Sequence, residues 1–279
     1  MRRGINNRKK KNIMIKEINL KSFKLIIILM FVLIICSILY YTFLNNLFTQ
    51  KRFEKENINI SNLNQNIPFS IKKIILFSSA TAETSTVNQS VLNLDLSQYC
   101  DIGIYLNKID DTSISVSSLY IDNIYLSAPK LGIPQLYKKN IPDLGKSTFS
   151  ENTIITDSFN FNVVSRDEEL NHDNQEVYND LSSPIALGFY NKNIKTGFLS
   201  DNSDILYNGL LLKEAAIPLS SINCAISFRL NIITNSGEHY ICNVNFDIPF
   251  EDDSGFIYNT GYTIKEFNSD ELNKFIRVK

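Results

Sequence analysis

The chain has 279 residues, with 28 basic and 29 acidic side chains and a formal net charge of −1. Apolar residues make up 44%, enough for a folded core, which excludes a wholly disordered chain. Four cysteines exclude a disulfide-dense mini-protein, and 10 glycines with 7 prolines exclude a collagen-like repeat.

The near-neutral total is an average over unlike parts. Residues 1–24 carry nine basic residues and one acidic residue, Glu17, a net of +8, which leaves −9 on the remaining 255. Leu25 to Leu44 then runs 20 residues without a charge (LIIILMFVLIICSILYYTFL). At a helical rise of ~1.5 Å per residue this spans ~30 Å, the thickness of a bilayer's hydrocarbon core. Tyr40 and Tyr41 near its end suit the headgroup region. The excess of Lys and Arg before the span places the N-terminus in the cytoplasm and the rest outside. No A-x-A-like site follows, so residues 25–45 read as an uncleaved signal anchor rather than a cleaved leader. Residues 1–24 are then a basic cytoplasmic tail beside anionic lipid. Residues 46–69, asparagine-rich and aperiodic, read as a polar stalk.

From Ser70 to Lys279 the apolar period is two, a strand signal. Ser70–Ser79 is a first candidate strand, and Ser78–Ser90 (SSATAETSTVNQS) reads as a solvated loop. Leu94, Leu96, Cys100, Ile102, Ile104 and Leu106 keep even parity along 92–107. Ile114 and Val116 step to odd parity at Leu119 and Ile121, which predicts a bulge near Ser117–Ser118. Tyr137–Ser150 offers a sub-boundary at 137–150. Phe159, Phe161 and Val163 alternate, as do Ile185, Leu187 and Phe189, with Asn191-Lys192-Asn193 able to turn the chain back through Ile194–Leu199. Ile222 to Phe250 reads as a hairpin about Asn235-Ser236-Gly237, pairing Leu230 with Cys242 and Cys224 with Ile248. Phe256–Ile264 and Phe275–Val278 are further candidates, and only Asn268–Lys274 and Asn46–Glu56 look helical. Short strands with almost no helix predict an all-β fold. The expectation is an antiparallel β-sandwich, jelly-roll- or Ig-like, over 70–279, with one face of each sheet solvated.

Motifs are scarce. Ser70-Ile71-Lys72-Lys73, Lys195-Thr196-Gly197 and Ser200-Asp201-Asn202 match the S-x-x-K, K-T-G and S-D-N elements of penicillin-binding proteins, but in the wrong order and with the last two adjacent. His172 lies in an acidic loop and His239 at outward parity, so both read as surface residues. The acidic runs Asp167–Asp180 and Asp247–Asp253 lack EF-hand spacing. Cys100, Cys224 and Cys242 fall at inward parity; the hairpin register keeps Cys224 and Cys242 apart, leaving buried thiols or a bridge from Cys100. Ser118–Leu126 (SLYIDNIYL) resembles the closing strand of carbohydrate-binding jelly rolls. That resemblance implies aromatic sugar platforms, for which Tyr120, Tyr125 and Tyr137 are candidates in a chain without Trp.

No catalytic, cofactor-binding or metal residue is assigned, and no enzyme activity is expected. The reading is a membrane-anchored cell-surface protein displaying a non-catalytic β-sandwich for binding or envelope assembly. A carbohydrate-binding module is the alternative and an envelope hydrolase the least favoured. The expected partners are the bilayer, through 25–44, and an extracytoplasmic protein or glycan, with no nucleic acid.

Overall fold

Alternating burial in two long apolar runs builds the hairpin at the centre of one sheet. In strands β9 (Cys224–Thr234) and β10 (His239–Ile248) every even-numbered residue is buried. Cys242 faces Leu230 and Cys224 faces Ile248, the register that parity requires. Gly237 closes the turn at φ +82°, where a side chain would be strained.

The computed structural model describes Met30, residues 67–86, 91–109, 114–201, 206–249, Tyr258 and residues 260–278. The chain divides into two compact units, Met1–Asn64 and Gln65–Lys279. The expected tail, anchor and stalk (1–24, 25–45 and 46–69) lie outside the described residues but for Met30 and 67–69. Among the described residues no helix is long and apolar enough to cross a membrane.

The second unit is all-β. Its other strands are β1 (Phe69–Thr86), β2 (Val91–Lys108), β3 (Val116–Leu126), β4 (Ile133–Lys138), β5 (Ile154–Ile155), β6 (Phe159–Val164), β7 (Glu176–Tyr178), β8 (Ile185–Asp201), β11 (Tyr262–Asn268) and β12 (Ile276–Arg277). One sheet runs β11-β1-β2-β8-β4-β5, the other β12-β10-β9-β3-β6-β7. Every pairing is antiparallel except β6 with β7. Ile74, Leu76, Ile102 and Leu187 of the first sheet share one buried core with Leu119, Ile226, Leu230 and Val244 of the second, which defines a sandwich. The bulge expected near Ser117–Ser118 is present as a register shift between Val116 and Ser118.

Three local expectations are corrected. The segment read as a loop from Ser78 continues as β1 to Thr86, because β2 pairs it all the way to Thr86↔Leu92. Asn191-Lys192-Asn193 does not turn back; β8 runs through, and the extra residues form a bulge between the pairs Gln98↔Asn191 and Leu96↔Lys195. Asn193 takes φ +58° there and its N–H donates to Ser97 Oγ. Asn268–Lys274 is a turn, not a helix, closed by the Glu271 N–H on the Asn268 carbonyl. The short helices are instead α1 (Leu210–Glu214) and α2 (Leu219–Ile222). They explain the 17- and 18-residue strands. Leu211, Leu212 and Ile222 cover Ala80, Leu92, Leu94 and Ile194 in a second apolar cluster.

A fourth correction concerns the solvated face. The outer side of the first sheet is partly covered, and a third cluster of Tyr99, Tyr137 and Tyr190 with Phe77 and Phe149 is packed on it.

Candidate functional site

The strand registers align one row of residues across the outer face: Ile264, Phe77, Asp101, Gly188, Tyr137 and Ile154, on β11, β1, β2, β8, β4 and β5. Gly188 has no side chain, so the Tyr137 ring lies over it. A Cβ built on Gly188 would fall 2.2 Å from Tyr137 Cζ. Phe149 stands edge-on to Tyr137 at 5.4 Å and stacks on Tyr190 at 4.6 Å between ring centroids. These rings come from β4, β8 and the segment after β4, which folds back over the sheet.

A buried ion pair pins that segment. Lys139 Nζ lies 3.1 Å from Asp101 Oδ1, and both side chains are 1% exposed. Asp101 Oδ2 accepts the Gly145 N–H, while Oδ1 faces the Lys139 amine and has no other donor. Lys139 Nζ donates to the Lys146 carbonyl and, at 2.9 Å, to Thr148 Oγ1. The Tyr99 hydroxyl donates to the Gly145 carbonyl. Burial raises the Asp101 carboxyl above its ordinary value, against the pull of Lys139 and the Gly145 N–H. Burial lowers the Lys139 amine, against the pull of Asp101. Burial also raises the phenol of Tyr137, whose hydroxyl has no partner.

Where the covering segment stops, a recess of about 280 Å³ remains, lined by Ile75, Phe77, Asp101, Gly103, Tyr105, Leu144, Gly145 and Ile264. Gly103 floors it, and the Lys73–Glu266 pair (3.4 Å) flanks it on β1 and β11. Ile264 is 57% exposed, and Tyr262 stacks on Phe77 at 5.3 Å. This surface is apolar and aromatic, with a shape suited to the flat face of a ligand. A second recess of about 420 Å³ opens on the other side of the ion pair, lined by Lys139, Asp143, Thr148, Phe149, Asp173 and Gln175 among others.

The three tyrosines singled out from sequence do not converge. Tyr120 and Tyr125 lie on β3 in the second sheet, and Tyr137 is buried on β4 in the first, so it offers no open platform. His239 is hydrogen-bonded through Nε2 to Asn231 Oδ1 at 3.0 Å. Asn231 in turn donates to Asp122, which Arg229 grips with two bonds of 2.8 and 2.7 Å. His172 sits in a 3-10 turn, His172–Asn174. Among the described residues no group of His, Cys, Asp or Glu could hold a metal ion. Cys100, Cys224 and Cys242 are buried free thiols, with Cys224 opposite Ile248, six residues along β10 from Cys242. Ser70 and Lys73 lie on β1, and Lys195, Thr196, Gly197 and Ser200 on β8.

The recess residues were missed, although a signal existed. Tyr99, Asp101, Gly103 and Tyr105 occupy the outward positions of β2, where a solvated face would carry ordinary polar residues. Comparison with protein-family models, curated proteins and solved structures finds no match.

Proposed function

We propose that the chain is a single-pass surface protein, N-terminus inside, presenting its sandwich outside the membrane for non-catalytic binding or envelope assembly. Support for the topology comes from the charge-free Leu25–Leu44 stretch and the nine basic residues before it. The observation that carries the binding role is the aromatic recess on the outer face of the first sheet. Phe77, Tyr105 and Ile264 are held there by paired strands rather than by loops. An epitope fused after Lys279 should be reached by antibody on intact spheroplasts; an epitope reached only after lysis overturns the topology. Pull-downs with the full chain in detergent should lose an envelope component on Tyr105→Ala or Ile264→Asp. Equal capture by both variants overturns the role of the recess.

Carbohydrate binding is a second reading, favoured by Tyr105 and Phe77 lining the recess, since sugar faces stack on aromatic rings. It moves the expected platform from Tyr120, Tyr125 and Tyr137 to the recess. A glycan array without hits counts against it.

A further inference from the structure

We propose that Lys139 and Asp101 form an intramolecular amide, a covalent cross-link between β2 and the segment that follows β4. The amine and carboxyl groups are in contact at 3.1 Å and almost wholly buried, each 1% exposed. Neither can move away. Asp101 sits in β2 between β1 and β8, and the Lys139 amine is tied to Lys146 and Thr148.

A buried ion pair is costly unless every lone pair and proton is satisfied. Here Asp101 Oδ1 has no donor besides the Lys139 amine at 3.1 Å. Proton transfer from Lys139 to Asp101 converts the pair to a neutral acid and a neutral amine without any outside proton. The surrounding Tyr99, Tyr137, Tyr190, Phe77 and Phe149 favour that neutral form, since burial disfavours both charges. The neutral amine keeps two N–H groups for Lys146 and Thr148 and turns its lone pair to Asp101.

The step then balances within the pair. The Nζ lone pair attacks Asp101 Cγ, and the carbonyl electrons move to Oδ2. There the Gly145 N–H takes up the developing charge, as an oxyanion-hole donor does. A proton passes from Nζ to the Oδ1 hydroxyl, the Cγ–Oδ1 bond breaks, and one water leaves. The recess lined by Lys139, Asp143 and Thr148 gives it an exit. In the product the amide oxygen keeps Gly145, the amide N–H keeps one of the two acceptors, and Oδ1 has left as water. Fixed contact and exclusion of water are what make such an intramolecular condensation fast.

The test is a mass-spectrometric peptide map of the full chain, purified from cells and reduced. Expected is a branched peptide joining the Asp101 and Lys139 segments, one water lighter than their sum, with no tryptic cleavage after Lys139. Lys139→Arg keeps the charge but should give only linear peptides of full mass. Linear wild-type peptides of full mass, cleaved after Lys139, overturn the proposal. So does a water loss that persists in Lys139→Arg. The wild-type map decides alone if the variant does not fold.

Discussion

Gly188→Ala should reverse its sign depending on one other side chain. In a strand interior alanine normally gains about 0.5–1 kcal/mol over glycine. Here the added Cβ would lie 2.2 Å from Tyr137 Cζ and within 2.6 Å of two more ring atoms. The ring cannot retreat, because it is 1% exposed and abuts Phe149 and Tyr190. Overpacking of this kind costs about 1–3 kcal/mol and more when the backbone must shift. The net expectation is a loss of roughly 1–2 kcal/mol in the wild-type background. Tyr137→Ala by itself should cost about 3–5 kcal/mol, as aromatic truncations in cores do. In that background the obstruction is gone, so Gly188→Ala should stabilise by about 0.5 kcal/mol or more. Urea unfolding of the four proteins, followed by far-UV circular dichroism, gives the coupling directly. Additive effects, or a Gly188→Ala that stabilises the wild type, would refute the placement of Tyr137 over Gly188.

Tyr137→Phe removes a buried hydroxyl that has no partner, so the urea midpoint should hold or rise; a fall would mean the hydroxyl is satisfied. At Asp122 burial opposes ionisation, but the bonds from Arg229 and Asn231 outweigh it and hold the carboxyl below its ordinary value. A depressed folded value gives stability that is present above the unfolded carboxylate range, near pH ~4, and is lost as pH falls through the folded value. Asp122→Asn should therefore destabilise at neutral pH, with the gap to wild type closing below pH ~4; a pH-independent gap would exclude the linkage. Burial pushes the Cys224 thiol up to about 11 and the Cys242 thiol up to about 12, and raises Cys100 as well. Alkylation at neutral pH should spare all three until denaturant is added; rapid labelling in the folded state would contradict their burial.

What the sequence made legible was the inner face. Even parity along Leu94–Leu106 and Ile222–Ile248 gives the strands and the hairpin register, because a one-residue slip would turn each apolar set to water, and the step to odd parity at Leu119 gives the bulge after Val116. What it hid has three physical causes. Small residues such as Ala80, Ser78 and Ser79 look like loop composition, yet β2 pairs them and α1 and α2 cover Ala80. Asn193 serves a bulge with the same positive φ that a turn would need, so composition cannot separate the two. Lys139 and Asp101 lie far apart in sequence and are joined only when the segment after β4 folds back. No local pattern marks them.

The recess and the ion pair are parts of one construction. Gly103 and Gly188 leave the middle of the outer face without side chains, so the sheet has a shallow trough there. Tyr137 and the segment from Lys139 to Phe149 fill one end of the trough over Gly188. The other end, over Gly103, stays open as the recess. Leu144 and Gly145 form the wall between the two, and Gly145 is held by Asp101 and Tyr99 on the floor. A wall fixed to its floor holds the recess in one shape, and under the proposed binding role that would spare the ordering cost of association. A charged pair in the dry trough would be a poor way to gain stability alone, since apolar residues of the same size often do better. As the anchor of that wall, the pair has a reason to be where it is.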